Sequence, residues 1–245
     1  MKRGIRYIVG IVGLVVGLGH VGAESEKDPI PQAFLVGHPG QHWAPAKNYP
    51  RSFDVSAEIA RGRALELMAW ERRVRLHGER LFGREVTGDL VFRGEQIELA
   101  EVDTLGFEPC QFDTLKSATT VWVVGDCNES TGSPTVWGAM PARRPEWLSV
   151  LPEVEGHAFA VGIANRSFSD APGSWHLATY RALIELGFSV RGTVESAQWH
   201  TEDTVDSAEI QRLNLVFEGF HAVGRWADEK HVYVLGSVPL AGVNR

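Results

Sequence analysis

Residues 157–168, HAFAVGIANRSF, decide how the chain is read, because residues 32–40, QAFLVGHPG, already carry a similar phrase. Both place Ala-Phe-x-Val-Gly together, and both precede an Ala-rich segment with helical spacing. The echo continues in order. Arg63-Ala64-Leu65 recurs as Arg181-Ala182-Leu183, and Trp122-Val123-Val124-Gly125 recurs as Tyr233-Val234-Leu235-Gly236. Two copies are too few for a solenoid, which needs three or more units to bury a continuous core. The expectation is an α+β protein of two similar halves, each a small, mainly antiparallel sheet packed on a long helix. Its parts are a signal peptide at 1–23, a degenerate first half at 24–127, a linker at 128–147 and a second half at 148–245.

Working outward, residues 33–37 and 158–162 read as the opening strand of each half. The first is followed by a loop rich in Pro, Gly and His. Ala60, Ala64, Leu67 and Met68 share one helical stripe, which predicts a helix over 56–81 with Asp54 or Ser56 as N-cap. Trp175, Ala178, Ala182 and Leu186 predict a second helix over 174–186. β-branched and aromatic residues predict strands at 87–105 and 119–127. The alternation of Phe188, Val190 and Val194 predicts a half-buried strand over 188–194. A short helix is expected near 205–213. Strands at 215–226 and 231–238 are expected to meet across Ala227-Asp228-Glu229-Lys230.

Lys2, Arg3 and Arg6 precede an apolar run that ends at small residues, Val21-Gly22-Ala23, the pattern of a secretory signal. The run is short for a membrane span, which takes about 20 residues. Cleavage and release to the periplasm or medium is the reading; an uncleaved anchor, with membrane contact, is the alternative. Loss of 1–23 removes three bases and no acids, moving the formal charge from −7 to −10. Such a balance disfavours nucleic acid and anionic lipid, which reward clustered positive charge. With 44 % hydrophobic residues and eight Trp, the composition is that of a packed globular protein. An even cysteine count in an exported chain favours a Cys110–Cys127 disulfide, with two buried free thiols as the alternative.

No motif names a catalytic, cofactor-binding or metal-binding residue. Gly37, Gly40 and Gly162 are not spaced as a phosphate loop and read instead as exits from buried strands. His38 and His42 are separated by Pro39-Gly40, which precludes a shared helix face, so they read as surface-loop histidines. Ser167, Asp170 and His176 lie close in sequence, but a triad is defined by geometry. Arg61, Arg63, Arg72, Arg73 and Arg75 read as a solvated basic face on the first helix. Trp147, after Arg143-Arg144-Pro145-Glu146, is a candidate for a partner surface or for core packing.

Pro145-Glu146-Trp147, Pro152, the Ala-Phe-Ala-Val-Gly of 158–162, Asp170 and the helix bearing Arg181-Ala182-Leu183-Ile184-Glu185-Leu186 together resemble the LPP20-like family of bacterial envelope proteins. A similar module forms part of the flagellar accessory protein FlgT. The resemblance covers about 143–238. It implies a small sheet on one or two long helices and a role in envelope or appendage assembly, through protein partners and without catalysis or cofactor. The chain lacks the lipid-bearing cysteine of the lipoprotein pattern, so no lipid anchor is expected. The competing expectation is a periplasmic ligand-binding protein or hydrolase with a site between the halves.

Overall fold

A computed structural model of the chain describes residues 28–37, 40–84, 90–100, 110–126, 135–191, 193–201 and 204–244. The signal segment at 1–23, His38 and Cys127 lie outside the described residues. The elements run in the order β1 (Ile30–Pro31), α1 (Gln32–Leu35), β2 (Gln41–Lys47), α2 (Phe53–Arg72), β3 (Val74–Arg84), β4 (Leu90–Ala100), β5 (Gln111–Lys116) and β6 (Thr120–Asp126). They continue with β7 (Trp137–Gly138), β8 (His157–Asn165), α3 (Ala171–Arg191), β9 (Thr193–Thr201), β10 (Thr204–Phe217), β11 (His221–Ala227), β12 (His231–Pro239) and β13 (Val243–Asn244). Every strand pair among these is antiparallel. The fold is α+β, with small sheets packed on two long helices.

Each half follows one plan. A strand leads into a long helix, then a long hairpin, then two strands that return beside the first. In the first half the sheet order is β2-β6-β5, and in the second it is β8-β12-β11. α2 packs on β2 and β6, and α3 on β8 and β12. Ala60 and Ala64 are fully buried against Ala44 and Ala46, so small residues let the helix lie close to its sheet. In α3, Ala178 and Ala182 do the same over Gly162. The shared Arg-Ala-Leu phrase therefore falls on α2 and α3, and the shared Val-x-Gly phrase on β6 and β12.

The halves are joined by a fourth sheet. β3 of the first half pairs with β10 of the second, from Val74↔Phe217 to Gly83↔Ala208. β4 pairs with the other side of β3, while β9 and β13 both lie along the other side of β10. One face of this sheet is closed by Leu76, Leu213, Leu215 and Phe217 against Leu183 and Leu186 of α3 and Trp70 of α2. Strand order across it is β4-β3-β10-β9.

Several sequence expectations are corrected. Residues 33–37 do not form a strand: α1 occupies Gln32–Leu35, and its Phe34 is wedged between Trp122 and Trp175 at 4.7 and 5.3 Å. The opening strand of the first half is β2, where a loop was expected. α2 stops at Arg72, not at 81, because from Val74 the buried positions change to every second residue, Val74 and Leu76. Neither Asp54 nor Ser56 is its N-cap, which is Ser52; the Ser56 hydroxyl instead accepts from the Tyr49 amide at 3.1 Å. α3 extends through 188–191, since Phe188 and Val190 pack on the same core as Leu186. Residues 205–213 belong to β10, not to a helix. Within the expected linker, 135–147 is tied down by β7 pairing with β1 and by Trp226 donating to the Pro141 carbonyl at 2.9 Å. No helix among the described residues is long and apolar enough to cross a membrane.

Candidate functional site

Between the halves lies a cleft of about 1040 Å³. The first half contributes Pro45 and Lys47 of β2 and Trp122 of β6; the second contributes Trp175 of α3 and Trp226 at the end of β11. Phe168, in the loop that enters α3, stands fully exposed at the rim. Phe168 and the half-buried Trp226 are the rings these walls present to solvent, whereas Trp122 and Trp175 are buried around Phe34 and form the rigid backing of the cleft.

The polar groups on the walls are mostly engaged by neighbours. Asp28 accepts hydrogen bonds from Ser117 Oγ at 2.6 Å and Thr119 Oγ1 at 2.5 Å. Lys47 Nζ donates to the Ser169 carbonyl at 3.0 Å. Asp228 caps the β11–β12 hairpin, accepting from the amides of Lys230 and His231 at 2.8 and 2.7 Å and from the Tyr233 hydroxyl at 2.9 Å. The His231 amide, then the other two donors, hold its carboxyl below the usual aspartate range. Both halves thus bring a carboxylate to the cleft, each fixed by its own hydrogen bonds, and the expected 227–230 connection is the turn that places one of them.

A second polar group sits at the end of α2. Glu71 lies in the last helical turn, where the macrodipole opposes an acid. His42 Nε2 of β2 approaches its Oε2 at 2.9 Å and His221 Nδ1 of β11 approaches it at 3.6 Å. Burial raises the Glu71 pKa, but hydrogen bonds from His221 and His42, with their charge, outweigh it and bring the value down to about 2. His42 is therefore a buried strand histidine and not a surface-loop one. The constellation joins three elements far apart in the chain; the one local signal of it is an acid at a helix C-terminus.

The other residues singled out by sequence fall into structural roles. Asp170 Oδ1 accepts from the Gly173 amide at 3.0 Å and caps α3. Its Oδ2 meets Arg63 Nη2 at 2.9 Å, while Arg63 Nη1 donates to the Pro45 carbonyl at 2.7 Å. Ser167 accepts from the Asp170 amide at 3.1 Å, and His176 pairs with Glu66 at 2.8 Å, so these three do not converge as a triad. Arg63 is not solvated, since it ties α2 to β2 and to the start of α3. Gly162 does not end a strand; it sits mid-β8 beneath α3. Trp147 lines a separate groove along β8, with Phe159 and Val161. Arg225, which sequence reasoning missed, is buried, donates to the Phe34 carbonyl at 2.6 Å and lies 4.5 Å from the Phe34 ring. Burial lowers its pKa to about 10.

Comparison of the chain with protein-family models, with curated proteins and with solved structures finds no match. The reading of the site therefore stands on its geometry.

Proposed function

We propose that the chain is an exported, non-catalytic component of the bacterial cell envelope that works by binding protein. The cleft between the halves is the surface that receives the partner. The observation that carries this reading is the fully exposed Phe168 on the same cleft as the half-buried Trp226, over a wall made rigid by the buried Trp122 and Trp175. Aromatic anchors in a concave, rigid site are the usual source of binding energy at protein interfaces. Asp28, Asp228 and Lys47 are held by neighbours, while Glu229 and Lys230 on the same wall are exposed, so the binding capacity is apolar at Phe168 and Trp226 and charged at the β11–β12 turn. It suits an extended aromatic- or proline-rich segment of a partner. The resemblance of residues 143–238 to LPP20-like proteins agrees with an assembly role.

The volume of the cleft and its position between the halves favour a second reading, a small apolar ligand bound in the same place. The two are separated by capturing partners from intact envelopes with the wild-type chain and with Phe168→Ser. Phe168 makes no core contact, so the variant folds. A protein retained by the wild type and lost with the variant supports the first reading. A small molecule that co-purifies with the wild type, with no protein sensitive to the substitution, supports the second and overturns the first.

A further inference from the structure

The way the two halves meet has a direction. By position in the shared plan, β3 corresponds to β9, β4 to β10, β2 to β8 and α2 to α3. A twofold arrangement would bring equivalent strands together at the centre of the joining sheet. The observed order, β4-β3-β10-β9, instead sets β3 against the counterpart of β4. The halves are related head to tail, and a head-to-tail interface does not use up its own surfaces. β4 and β9 are left as the two ends of the joining sheet, each paired on one side only among the described residues.

The helices follow the same rule. α3 packs against β2 as well as against its own sheet, whereas α2 has no comparable packing on β8. α3 meets the first half through Gly173, next to Arg63, through His176, on Glu66, and through Tyr180, whose ring centre lies 6.3 Å from that of Trp70. Aligning the two Arg-Ala-Leu phrases places Val55, Glu58 and Gly62 of α2 at those positions. Val55 and its neighbour Ile59 are 50 % and 40 % exposed, and the space around Gly62 is open. The strands they would meet differ in the same sense. His42 to Ala46 of β2 are all buried, while the outer face of β8 leaves Ile163 44 % exposed beside a groove lined by Phe159, Val161 and Leu151. The outer sides of β4 and β9, the Val55–Ile59 stripe and the Ile163 side of β8 are thus left uncovered, whereas the α3 positions that match Glu66 and Trp70 are already packed, Ile184 in the core and Phe188 beneath Arg80.

We infer that the internal strand pairing recurs between molecules: a second copy of the chain adds its β4 to the outer edge of β9 and sets the Val55–Ile59 stripe of its α2 against the Ile163 side of β8. A heterologous contact of this kind builds a ring when its rotation closes and an open filament when it does not. The added strand also covers two sheet edges of the kind that natural proteins otherwise protect. This surface is distinct from the cleft, so the inference stands or falls separately from the partner reading.

The test uses the full chain. Sedimentation velocity across a dilution series should show mass rising in steps of one chain; a wild type that remains a single chain at every concentration overturns the inference. Proline then blocks each edge: at Gln96 or Ile97 on β4, and at Ala197 or Gln198 on β9. Neighbouring residues of a strand direct their N–H groups to opposite sides, so in each pair one proline spares the internal ladder and keeps the wild-type melting temperature. Each blocked variant alone should stay a single chain, and an equimolar mixture of the two should form a species of twice that mass and stop there. A β9-blocked variant that dimerises by itself marks a symmetric β4–β4 contact and overturns the head-to-tail arrangement, as does a mixture of well-folded variants that fails to pair. Ile59→Glu, at an exposed position with little bearing on folding, should weaken association about tenfold. Phe168→Ser should leave assembly unchanged, which separates this result from the fate of the cleft.

Discussion

At the scale of single residues, Glu71 and Gly162 show what close packing demands. Glu71 is held ionised by two histidines, with its pKa at about 2 against an ordinary 4.5. A carboxyl whose folded value is depressed contributes stability that is present above its unfolded value and is lost as pH falls from about 4.5 toward about 2. Allowing for its partial exposure, the contribution is about 2 kcal/mol. Urea unfolding midpoints measured between neutral and strongly acid pH should fall less steeply for Glu71→Gln than for the wild type, and parallel curves would remove this role. Gly162 has no room for a side chain. A methyl there would run into the Ala178 carbonyl and the Ala182 amide, both helix backbone that cannot turn aside. Gly162→Ala should cost about 3 kcal/mol, read as a lowered urea midpoint with an unchanged slope. The glycine was visible in sequence, but its reason was not. A strand exit and a close helix crossing ask for the same residue, and only the position of α3 distinguishes them.

At the scale of elements, Arg63 fastens three of them at once: α2, which carries it, β2 through the Pro45 carbonyl, and the cap of α3 through Asp170. A double-mutant cycle of Arg63→Met and Asp170→Asn should yield a coupling of about 1 kcal/mol in unfolding free energy. The asparagine keeps an oxygen for the Gly173 amide, so loss of the cap does not mask the result. A coupling near zero would mean that the contact is incidental. Elements also mark where sequence patterns carried the fold and where they misled. The Ala60–Ala64 and Ala178–Ala182 stripes were legible because helix period and burial agree. The phrase at 33–37 was not, since a short apolar run fits a strand or a helical turn equally well. What decides it is Phe34, whose pocket is built from Trp122 and Trp175 far along the chain. In the same way Phe188 and Val190 alternate like a strand, yet the core beneath α3 keeps them helical.

At the scale of the whole molecule, the shared plan was recognisable from short phrases in the same order, whereas the joining sheet was not. No local pattern announces that β3 will find β10. The cleft was invisible for the same reason, because its tryptophans come from elements of both halves. The cysteine pair is a matter of this scale too. Cys110 is buried just before β5, and the β5–β6 register sets Gln111 opposite Asp126, the neighbours in sequence of the two cysteines. Denatured, unreduced protein should therefore show no free thiol, and reduction should cost about 3 kcal/mol of stability in the chain-entropy view. Two titratable thiols would refute the pairing.

The ladder between β3 and β10 joins stretches separated by most of the chain, and that sets an order of events as the protein forms. Contacts of such long range carry a large loop-closure cost and tend to form late. A chain delivered N-terminus first exposes the hairpin of β3 and β4 before β10 exists, with the inner edge of β3 open to any passing strand. The first half cannot close its side of the molecule until β10, which ends at Phe217, has arrived. Synthesis of the chain therefore calls for a guardian of that edge, or for completion swift enough that none is needed.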